Sequence, residues 1–260
     1  MARRRTATTR GPGSRAGDED RRFLAGYDPS GFDRPSLTVD VALVSAAEGA
    51  LHTLLVRRAE PPQRGRWALP GGFVRPDESL DAAAARVLAV KAGLRGVFLE
   101  QLYTFGEPAR DPRTRVVTGG YYALVDFERF AEAAGAGDDV AVGRIAVPWE
   151  GETGGPVEVA GADGAPLPLA FDHAEILGMA VKRLRGKLDY APVGFQLLPA
   201  TFTLLDLQRV HETVLERPLN KDSFRRRMLA SGQLEATGRS QKDVDHRPAE
   251  LYRFARRSAV

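Results

Sequence analysis

The chain has 260 residues, of which 43% are hydrophobic and 27% are charged, so it is long enough to bury a sizeable core. It contains no cysteine, which excludes a disulfide framework, a thiolate zinc site and a cysteine nucleophile. No apolar run approaches the roughly 20 residues of a membrane helix, and the basic first residues lead into no apolar segment of a secretory signal. We therefore expect a soluble, cytoplasmic protein.

The net charge of +3 is distributed unevenly along the chain. Residues 1–22 carry seven arginines and three acids, and residues 192–260 carry twelve basic and eight acidic side chains, so each end has a net charge of +4. The middle, 23–191, has a net charge of −5. This distribution is typical of a chain whose basic ends bind a polyanion. The alternative is that the basic ends only increase solubility.

The first predicted elements are a disordered tail followed by a β-hairpin. Residues 1–22 are rich in Gly, Arg, Thr and Ser and poor in large apolar side chains, which predicts disorder. Residues 36–46 alternate apolar and polar side chains and contain β-branched residues, which is typical of a strand. Residues 50–59 follow a Glu48-Gly49 turn and are predicted to form the partner strand of the hairpin.

The rest of the middle segment predicts an α+β or mixed α/β domain. Residues 79–94 have the spacing of an amphipathic helix, and 98–106 and 118–127 favour strands. Residues 134–168 are crowded with Gly, Ala, Pro and Asp and predict a long surface excursion with short strands. Residues 173–188 predict a second helix. We assign 23–191 to this domain.

The C-terminal segment, 192–260, predicts a second domain of the winged helix-turn-helix type. After a Pro-punctuated joint come a helix over 203–216, capped by Thr203, and a helix over 221–231. Two short strands, 234–237 and 249–254, follow and enclose a polar loop. Helix, turn, basic helix and β-ribbon in this order are typical of winged helices, in which the second helix enters the major groove.

The basic helix would present its charge outward. If Phe224 and Met228 face inward, a rotation of 100° per residue turns most of the arginine run outward and leaves Arg225 nearer the buried edge. Such side chains contact phosphates or base edges in the major groove. The predicted DNA contacts are Asn220, Lys221, Ser223, Arg226 and Arg227 on this helix and Arg239 and Lys242 on the wing. A protein–protein dimerisation appendage is the alternative.

A glycine loop precedes the first predicted helix. Gly72 is followed after five residues by Glu78, and Arg86 comes eight residues later, with Ala68-Leu69-Pro70-Gly71 directly before. This spacing, with Ser79 as helix cap and Gly93 as helix stop, resembles the signature of the Nudix hydrolases. We expect Glu78 and Arg86 to pair across the loop as structure. In the Nudix superfamily, glutamates on this helix hold magnesium for diphosphate cleavage.

Three of those acidic positions are changed in this chain. They are occupied by Val87, Val90 and Lys91. Positions i, i+3 and i+4 share one helical face, so carboxylates there would converge on a hard cation, whereas valine offers no oxygen ligand and lysine adds positive charge. Without the metal, transition-state stabilisation falls by several kcal/mol. We therefore expect a Nudix-like fold that is not an enzyme, with neither a catalytic residue nor a metal site.

A cleft built for a diphosphate can bind one without cleaving it. Guanidinium groups can donate hydrogen bonds to phosphate and ribose oxygens, and a nucleotide base can stack on aromatic rings. The predicted ligand-binding residues are Gly71, Gly72, Phe73, Phe105, Arg110, Asp111, Arg113 and Arg115. Tyr103 is a further aromatic candidate, although we expect it to lie in the core. The alternative for the loop that carries Arg110, Asp111, Arg113 and Arg115 is a solvated turn without a ligand.

With both halves in view, the chain resembles the Nudix-related transcriptional regulators of NAD metabolism, the NrtR family. The resemblance runs from about Ser36 to Phe254 and rests on WALPGGFVRPDESL, LEQLYTFGEPARDPRTRVV, FDHAEIL, RLRGKLDY, FTLLDLQRVHE, RPLNKDSFRRRML and RPAELYRF. It implies a Nudix-like domain that binds ADP-ribose as effector, with no cofactor, and a winged helix that binds palindromic operators as a homodimer. Ligand binding would then release the DNA and derepress NAD biosynthesis and salvage genes.

Two rival hypotheses remain. The first is an active ADP-ribose pyrophosphatase with an appended domain, whose metal ligands would lie outside the usual helix, at Glu100, Glu107 or Asp111. The second is a binding module whose C-terminal part contacts protein instead of DNA. If the chain is a repressor, Arg3, Arg4 and Arg5 could form an additional arm that enters the minor groove of DNA. The alternative is a disordered tail that does not contact DNA.

Overall fold

The computed structural model describes residues 12–135, 139–188, 191–242 and 248–255. Contacts divide the chain into two compact units, one up to Pro35 and one from Ser36 onward. Within the described ranges, no helix combines the length and the apolar character needed to cross a bilayer. The eleven residues before Pro12, with the predicted arm at Arg3, Arg4 and Arg5, lie outside the described residues.

The first unit contains helix α1, Pro12–Gly26, and a short 3-10 turn at Pro29–Gly31. The prediction of disorder over residues 1–22 is therefore wrong from residue 12 onward. From Ser14 to Leu24 the chain contains a single glycine and no proline, and Arg21 forms an ion pair with Asp18 three residues earlier on the same helical face. These local interactions favour a helix in spite of the polar composition.

The second unit is built on a mixed eight-stranded sheet. Its main strand order is β5-β6-β1-β2-β7-β8, with β3 pairing with β2 and β4 pairing with β1. The strands are β1 Ser36–Ala47, β2 Ala50–Arg57, β3 Trp67–Ala68, β4 Gly71–Phe73, β5 Phe98–Phe105, β6 Val116–Leu124, β7 Val140–Ala146 and β8 Glu158–Ala160. The β1–β6 pair is parallel, whereas β1–β2 and β5–β6 are antiparallel. The predicted hairpin and the mixed α/β class are confirmed.

Helices cover both faces of the sheet. They are α2 Leu80–Lys91, α3 Phe127–Ala134 and α4 His173–Lys187. Along β1, Val41 and Leu43 belong to the core cluster that contains α2, while Ala42 and Val44 belong to the cluster that contains α4. Successive side chains of a strand point to opposite faces, so a strand buried on both sides reads as a nearly continuous apolar run.

The ends of α2 follow from its sequence. The Ser79 hydroxyl accepts a hydrogen bond from the Ala82 amide at 3.2 Å, which supplies a partner for one of the free N–H groups of the first turn. At the other end Gly93 has φ of +65°, a left-handed conformation that glycine adopts without steric cost. The predicted cap and stop are both confirmed.

The segment 134–168 is less of a surface excursion than predicted. Its strands β7 and β8 extend the central sheet beyond β2, and Ile145, Val157 and Val159 are buried in the core. Val140 and Val142 pack against the opposite core cluster. Side chains of β7 therefore alternate between the two faces of the sheet, a pattern that the high glycine and proline content of the segment obscured. Pairing of β7 with β2 supplies the neighbouring strand that a short strand needs.

The C-terminal elements form the predicted helix, turn, helix and ribbon. They are α5 Leu204–Leu215, α6 Lys221–Ala230, β9 Leu234–Ser240 and β10 Glu250–Phe254. Thr203 and Asp206 form a reciprocal capping box at the start of α5, which confirms the predicted cap. A separate small core includes Phe202, Leu207 and Phe224. Strand β9 continues three residues beyond the predicted end at 237.

Helix α5 also packs into the larger core. Val210 and Val214 belong to the same apolar cluster as α4. The buried Arg185 of α4 donates hydrogen bonds to the carbonyl oxygens of Val214 and Gly151, each at 2.9 Å, and its guanidinium lies 4.8 Å from the Trp149 ring. The bond to Val214 satisfies a backbone acceptor near the end of α5, and the bond to Gly151 satisfies one in the turn before β8. Packing is therefore continuous across the predicted boundary near residue 191, and that boundary remains a prediction.

Candidate functional site

A cavity of about 410 Å³ lies where β1, the end of β2, β4, the end of α2 and the start of α4 meet, and we call it the cleft. Most of the predicted ligand-binding residues line it, namely Gly71, Gly72, Phe73, Arg110, Asp111 and Arg113. Phe105 instead lines a neighbouring depression together with Tyr103 and Glu175. Arg115 lies outside the cleft, and its guanidinium contacts the carbonyl of Val116. Tyr103 is 58% exposed, so the expectation of a core position is wrong.

The glycine loop lets the backbone of β4 approach β1 closely. Gly71 pairs directly with Asp40, and a Cβ on Gly71 would lie 2.0 Å from the Asp40 carboxylate. Only glycine fits at this position without displacing the acid. The next residues carry the chain past the cleft, where the Phe73 ring is half exposed and lies 6.0 Å from the Arg113 guanidinium.

The floor of the cleft is a buried charge network around Arg110. Its Nε and one terminal nitrogen donate to the two oxygens of Asp172, both at 2.7 Å, and the same terminal nitrogen lies 3.4 Å from Asp40. Burial opposes the charge of Arg110, but the carboxylates of Asp172 and Asp40 raise its pKa above the ordinary value. The fork that we predicted to bind phosphate is therefore already occupied by a carboxylate.

His173 completes the floor in its neutral form. Its Nδ1 accepts a hydrogen bond from the Leu69 amide at 2.9 Å, which places the ring proton on Nε2, 3.7 Å from an oxygen of Asp40. Burial lowers the pKa of His173 below its ordinary value. The ring thus links the glycine loop to the first turn of α4.

This neutral histidine predicts a loss of stability in acid. The folded-state pKa of His173 is depressed, so the unfolded chain binds the proton more readily, and stability falls as the pH drops below about 6.5. His173→Gln keeps an acceptor for the Leu69 amide and does not titrate. We expect urea unfolding between pH 7.5 and 5.5 to show a shallower loss for His173→Gln than for the wild type. Equal slopes would contradict this role. Comparison with the wild type is needed because burial also lowers the pKa of His52.

The cations of the cleft fall into two groups. Asp111 occupies the fork of Arg113 through contacts of 3.0 and 2.7 Å, so this arginine, like Arg110, already binds a carboxylate. Arg58 stacks on the Phe171 ring at 4.6 Å and donates to a backbone carbonyl. Lys91 points its charge into the cleft from the last turn of α2. Among the described residues that line the cleft, Arg57, Arg58 and Lys91 are therefore the cations without a carboxylate partner.

Several functional candidates were missed from the sequence. They are Asp40, Arg58, Phe171, Asp172 and His173. Asp40 had a detectable signal, since an acid inside the apolar run TVDVALV has to find a partner when it is buried. The pairing of Asp172 with Arg110 spans 62 residues and had no local signal.

The pair Glu78 and Arg86 is structural, as predicted. Arg86 donates to Glu78 at 2.8 Å and to the Phe73 carbonyl at 3.0 Å, while the Arg75 amide donates to Glu78 at 2.9 Å. The hydrogen bond from Arg86 lowers the pKa of Glu78 to about 2. Both side chains are thus engaged in holding the loop over the start of α2.

The residues of the cleft do not fit a divalent metal ion. Val87 is buried against Gly72, and Val90 is 75% exposed. Lys91 brings an ammonium group where a carboxylate would be needed. In the part of the chain that the structure describes, no three His, Cys, Asp or Glu residues are grouped to hold a metal.

The three alternative metal ligands, Glu100, Glu107 and Asp111, do not form a metal site either. Glu100 binds Lys187 at 2.6 and 2.7 Å, and Asp111 is held in the fork of Arg113. Glu107 lines the neighbouring depression rather than the cleft. The structure thus does not bring these three carboxylates together around one ion.

A second candidate surface is the outer face of α6. Phe224 and Met228 are buried, as predicted, and the other residues of the helix are exposed, among them Lys221, Ser223, Arg225, Arg226 and Arg227, with Asp222, Leu229 and Ala230 exposed beside them. Arg225 was expected nearer the buried edge but is exposed too. The Asn220 side chain accepts from the Ser223 amide at 3.0 Å, so its oxygen serves as the helix cap. Arg239 lies exposed on β9, and Lys242 lies exposed just after it.

Comparison with known families matches both halves of the chain. Residues 34–143 match the NUDIX domain, and residues 194–254 match the NrtR DNA-binding winged helix domain. The ADPR-responsive transcriptional repressor NtrR of Acinetobacter baylyi is 39% identical over 235 residues, which cover 90% of this chain and 87% of that protein.

Solved structures resemble the whole arrangement. Shewanella oneidensis NrtR complexed with a 27-mer DNA aligns with a TM-score of 0.70 and 34% identity, over 84% of this chain and 93% of that one. A MutT/nudix family protein from Enterococcus faecalis aligns with a TM-score of 0.71 and 27% identity, over 92% of this chain and 98% of that one.

Proposed function

This chain belongs to the NrtR family, and we propose that it is an ADP-ribose-responsive transcriptional repressor of NAD biosynthesis and salvage genes. The observation that carries the proposal is the 39% identity to an ADPR-responsive repressor over 90% of the chain, together with the matches of this chain to the NUDIX domain and to the NrtR winged helix domain. A repressor acts on chromosomal DNA, so we place the protein in the cytoplasm.

The cleft is the proposed effector site. Arg58 and Lys91 supply positive charge, and Phe73 and Phe171 supply aromatic faces for a nucleotide base. The predicted ligand residues at the cleft keep this role in the proposal, with Arg110 and Arg113 positioned by their carboxylate partners. Phe105 and Arg115 remain predictions outside the cleft.

Recognition of operator DNA is assigned to the exposed face of α6 and the wing. Ser223, Arg226 and Arg227 would contact base edges and phosphates, with Lys221, Asn220, Arg239 and Lys242 beside them. Palindromic operators mirror a two-fold symmetric protein, so we propose a homodimer as the DNA-binding form.

Helix α4 offers a physical route between the two sites. It begins at Asp172 and His173 in the cleft and carries Arg185, whose hydrogen bonds hold the end of α5. Ligand in the cleft would favour a dimer geometry in which the two α6 helices no longer fit adjacent half-sites. Such coupling requires the ligand to bind the two geometries unequally.

We further propose that the cleft does not hydrolyse its ligand. Metal-assisted cleavage needs a cation to activate water and to stabilise developing charge, and the donor set around α2 does not fit one. Incubating the protein with ADP-ribose and Mg²⁺ and measuring AMP by chromatography tests this directly. We expect intact ADP-ribose. Enzyme-like turnover would instead favour an ADP-ribose pyrophosphatase.

The repressor function is tested by a gel-shift titration. A palindromic operator is first selected with this protein from a random-sequence DNA pool, and ADP-ribose is then added to the complex. We expect the shifted band to disappear as ADP-ribose rises, while adenosine at the same concentration leaves it in place. If no DNA is selected above background, DNA binding is contradicted and the alternative of a protein-binding C-terminal part is favoured. An unchanged band with ADP-ribose refutes the effector role.

A further inference from the structure

The side chain at the third changed Nudix position is a functional candidate. Lys91 ends α2 and lines the same cleft as Arg110 and Asp111. Among the described residues, none forms a hydrogen bond or ion pair with its ammonium group. Arg110 and Arg113 differ from it in this respect, because each is bound bidentately by a carboxylate.

The surroundings of Lys91 favour an incoming anion. Desolvation at the cleft wall lowers the pKa of Lys91, opposed by the charge of Asp40 and assisted by that of Arg58. The Lys91 side chain is nevertheless exposed, so a phosphate oxygen that enters the cleft can form a charge-assisted hydrogen bond with its ammonium group. Arg58 is held on the Phe171 ring, so a second cation is fixed in the same cleft.

We propose that Lys91 takes the place of the divalent cation in this cleft and binds the diphosphate of the ligand directly, so that binding is independent of metal. The inference rests on the proposed function, which supplies a nucleotide diphosphate as ligand. The substitution at this position would thus remove a metal ligand and add a fixed positive charge in one step. Val90, one residue earlier, points into solvent and plays no part.

Titration calorimetry of the full-length protein tests the proposal. ADP-ribose is titrated in EDTA and again in excess Mg²⁺, and we expect dissociation constants within about 2-fold of each other. Lys91→Gln should weaken ADP-ribose binding by about 10-fold or more, in line with the removal of one charge-assisted hydrogen bond. Lys91→Arg should stay within about 3-fold of the wild type. Adenosine has no diphosphate, so its affinity should be the same for wild type and Lys91→Gln.

Arg95→Gln is the matched control, since it removes one positive charge just beyond α2 on a surface away from the cleft. Its ADP-ribose affinity should equal that of the wild type. Binding that needs Mg²⁺, or a Lys91→Gln variant that folds normally and binds like the wild type, overturns the Lys91 proposal and leaves the repressor proposal standing. Wild-type protein that binds no ADP-ribose under either condition overturns both.

Discussion

Replacing Arg110 with methionine is expected to destabilise the protein by about 3 to 5 kcal/mol. The side chain is 5% exposed and holds Asp172 through two bonds of 2.7 Å, with Asp40 at 3.4 Å. Without the guanidinium, the largely buried carboxylates of Asp172 and Asp40 lose the arginine that pairs with both, which is more costly than breaking an exposed ion pair. Urea unfolding at pH 7.5 measures the decrease in stability.

Two variants make this prediction specific to the buried network. Arg110→Met combined with Asp172→Asn removes one of the unpaired charges, so it should be more stable than Arg110→Met alone. Arg253→Met breaks a pair whose arginine and glutamate side chains are 64% and 50% exposed, and it should cost less than about 1 kcal/mol. A cost below about 1 kcal/mol for Arg110→Met would mean that water enters the floor of the cleft.

Replacing both Arg226 and Arg227 with alanine is expected to weaken operator binding by about 30- to 100-fold, since each arginine that binds a base edge or a phosphate contributes on the order of 1 kcal/mol or more. Both side chains lie on the exposed face of α6. The slope of log affinity against log salt should fall by about one unit for each phosphate that is no longer neutralised by an arginine. Fluorescence anisotropy with a labelled operator at several salt concentrations measures both quantities.

The control for this double variant concerns the other half of the molecule. Affinity for ADP-ribose should stay at the wild-type value, because the cleft is lined by none of the residues of α6. Arg95→Ala, which removes a charge outside both surfaces, should leave operator binding unchanged. An equal loss of operator affinity in Arg95→Ala would indicate a general effect of net charge, and an equal loss of ADP-ribose affinity in the double variant would contradict separate sites.

Local signals in the sequence were sufficient for the elements that position the site. The glycine loop, the Ser79 cap and the Glu78–Arg86 spacing are encoded within a few turns, and each lies where the pattern predicted. The positions of Phe224 and Met228 similarly identified the buried face of α6. The same spacing placed Arg226 and Arg227 on the exposed face of α6 but put Arg225 too near its buried edge.

Long-range contacts could not be read from these patterns. The Leu69 amide meets His173 across 104 residues, and Arg110 meets Asp172 across 62. Composition misled at two places, because the strands predicted in the Gly-rich segment 134–168 belong to the central sheet and not to the surface, and the polar residues after Pro12 form a helix. A polar or Gly-rich composition disfavours regular structure, but pairing with a neighbouring strand or local ion pairs can still stabilise a strand or a helix in such a segment.

The central claim is that the cleft recognises a nucleotide diphosphate and does not consume it. A labelled operator bound to the wild-type protein is mixed with ADP-ribose, at a few-fold molar excess over the cleft and with Mg²⁺ present, and its fluorescence anisotropy is followed for hours. We expect anisotropy to fall at once and to stay low, because the released state persists as long as the ligand survives. A return to the bound value as the ligand is hydrolysed, or no fall at all, would contradict the account.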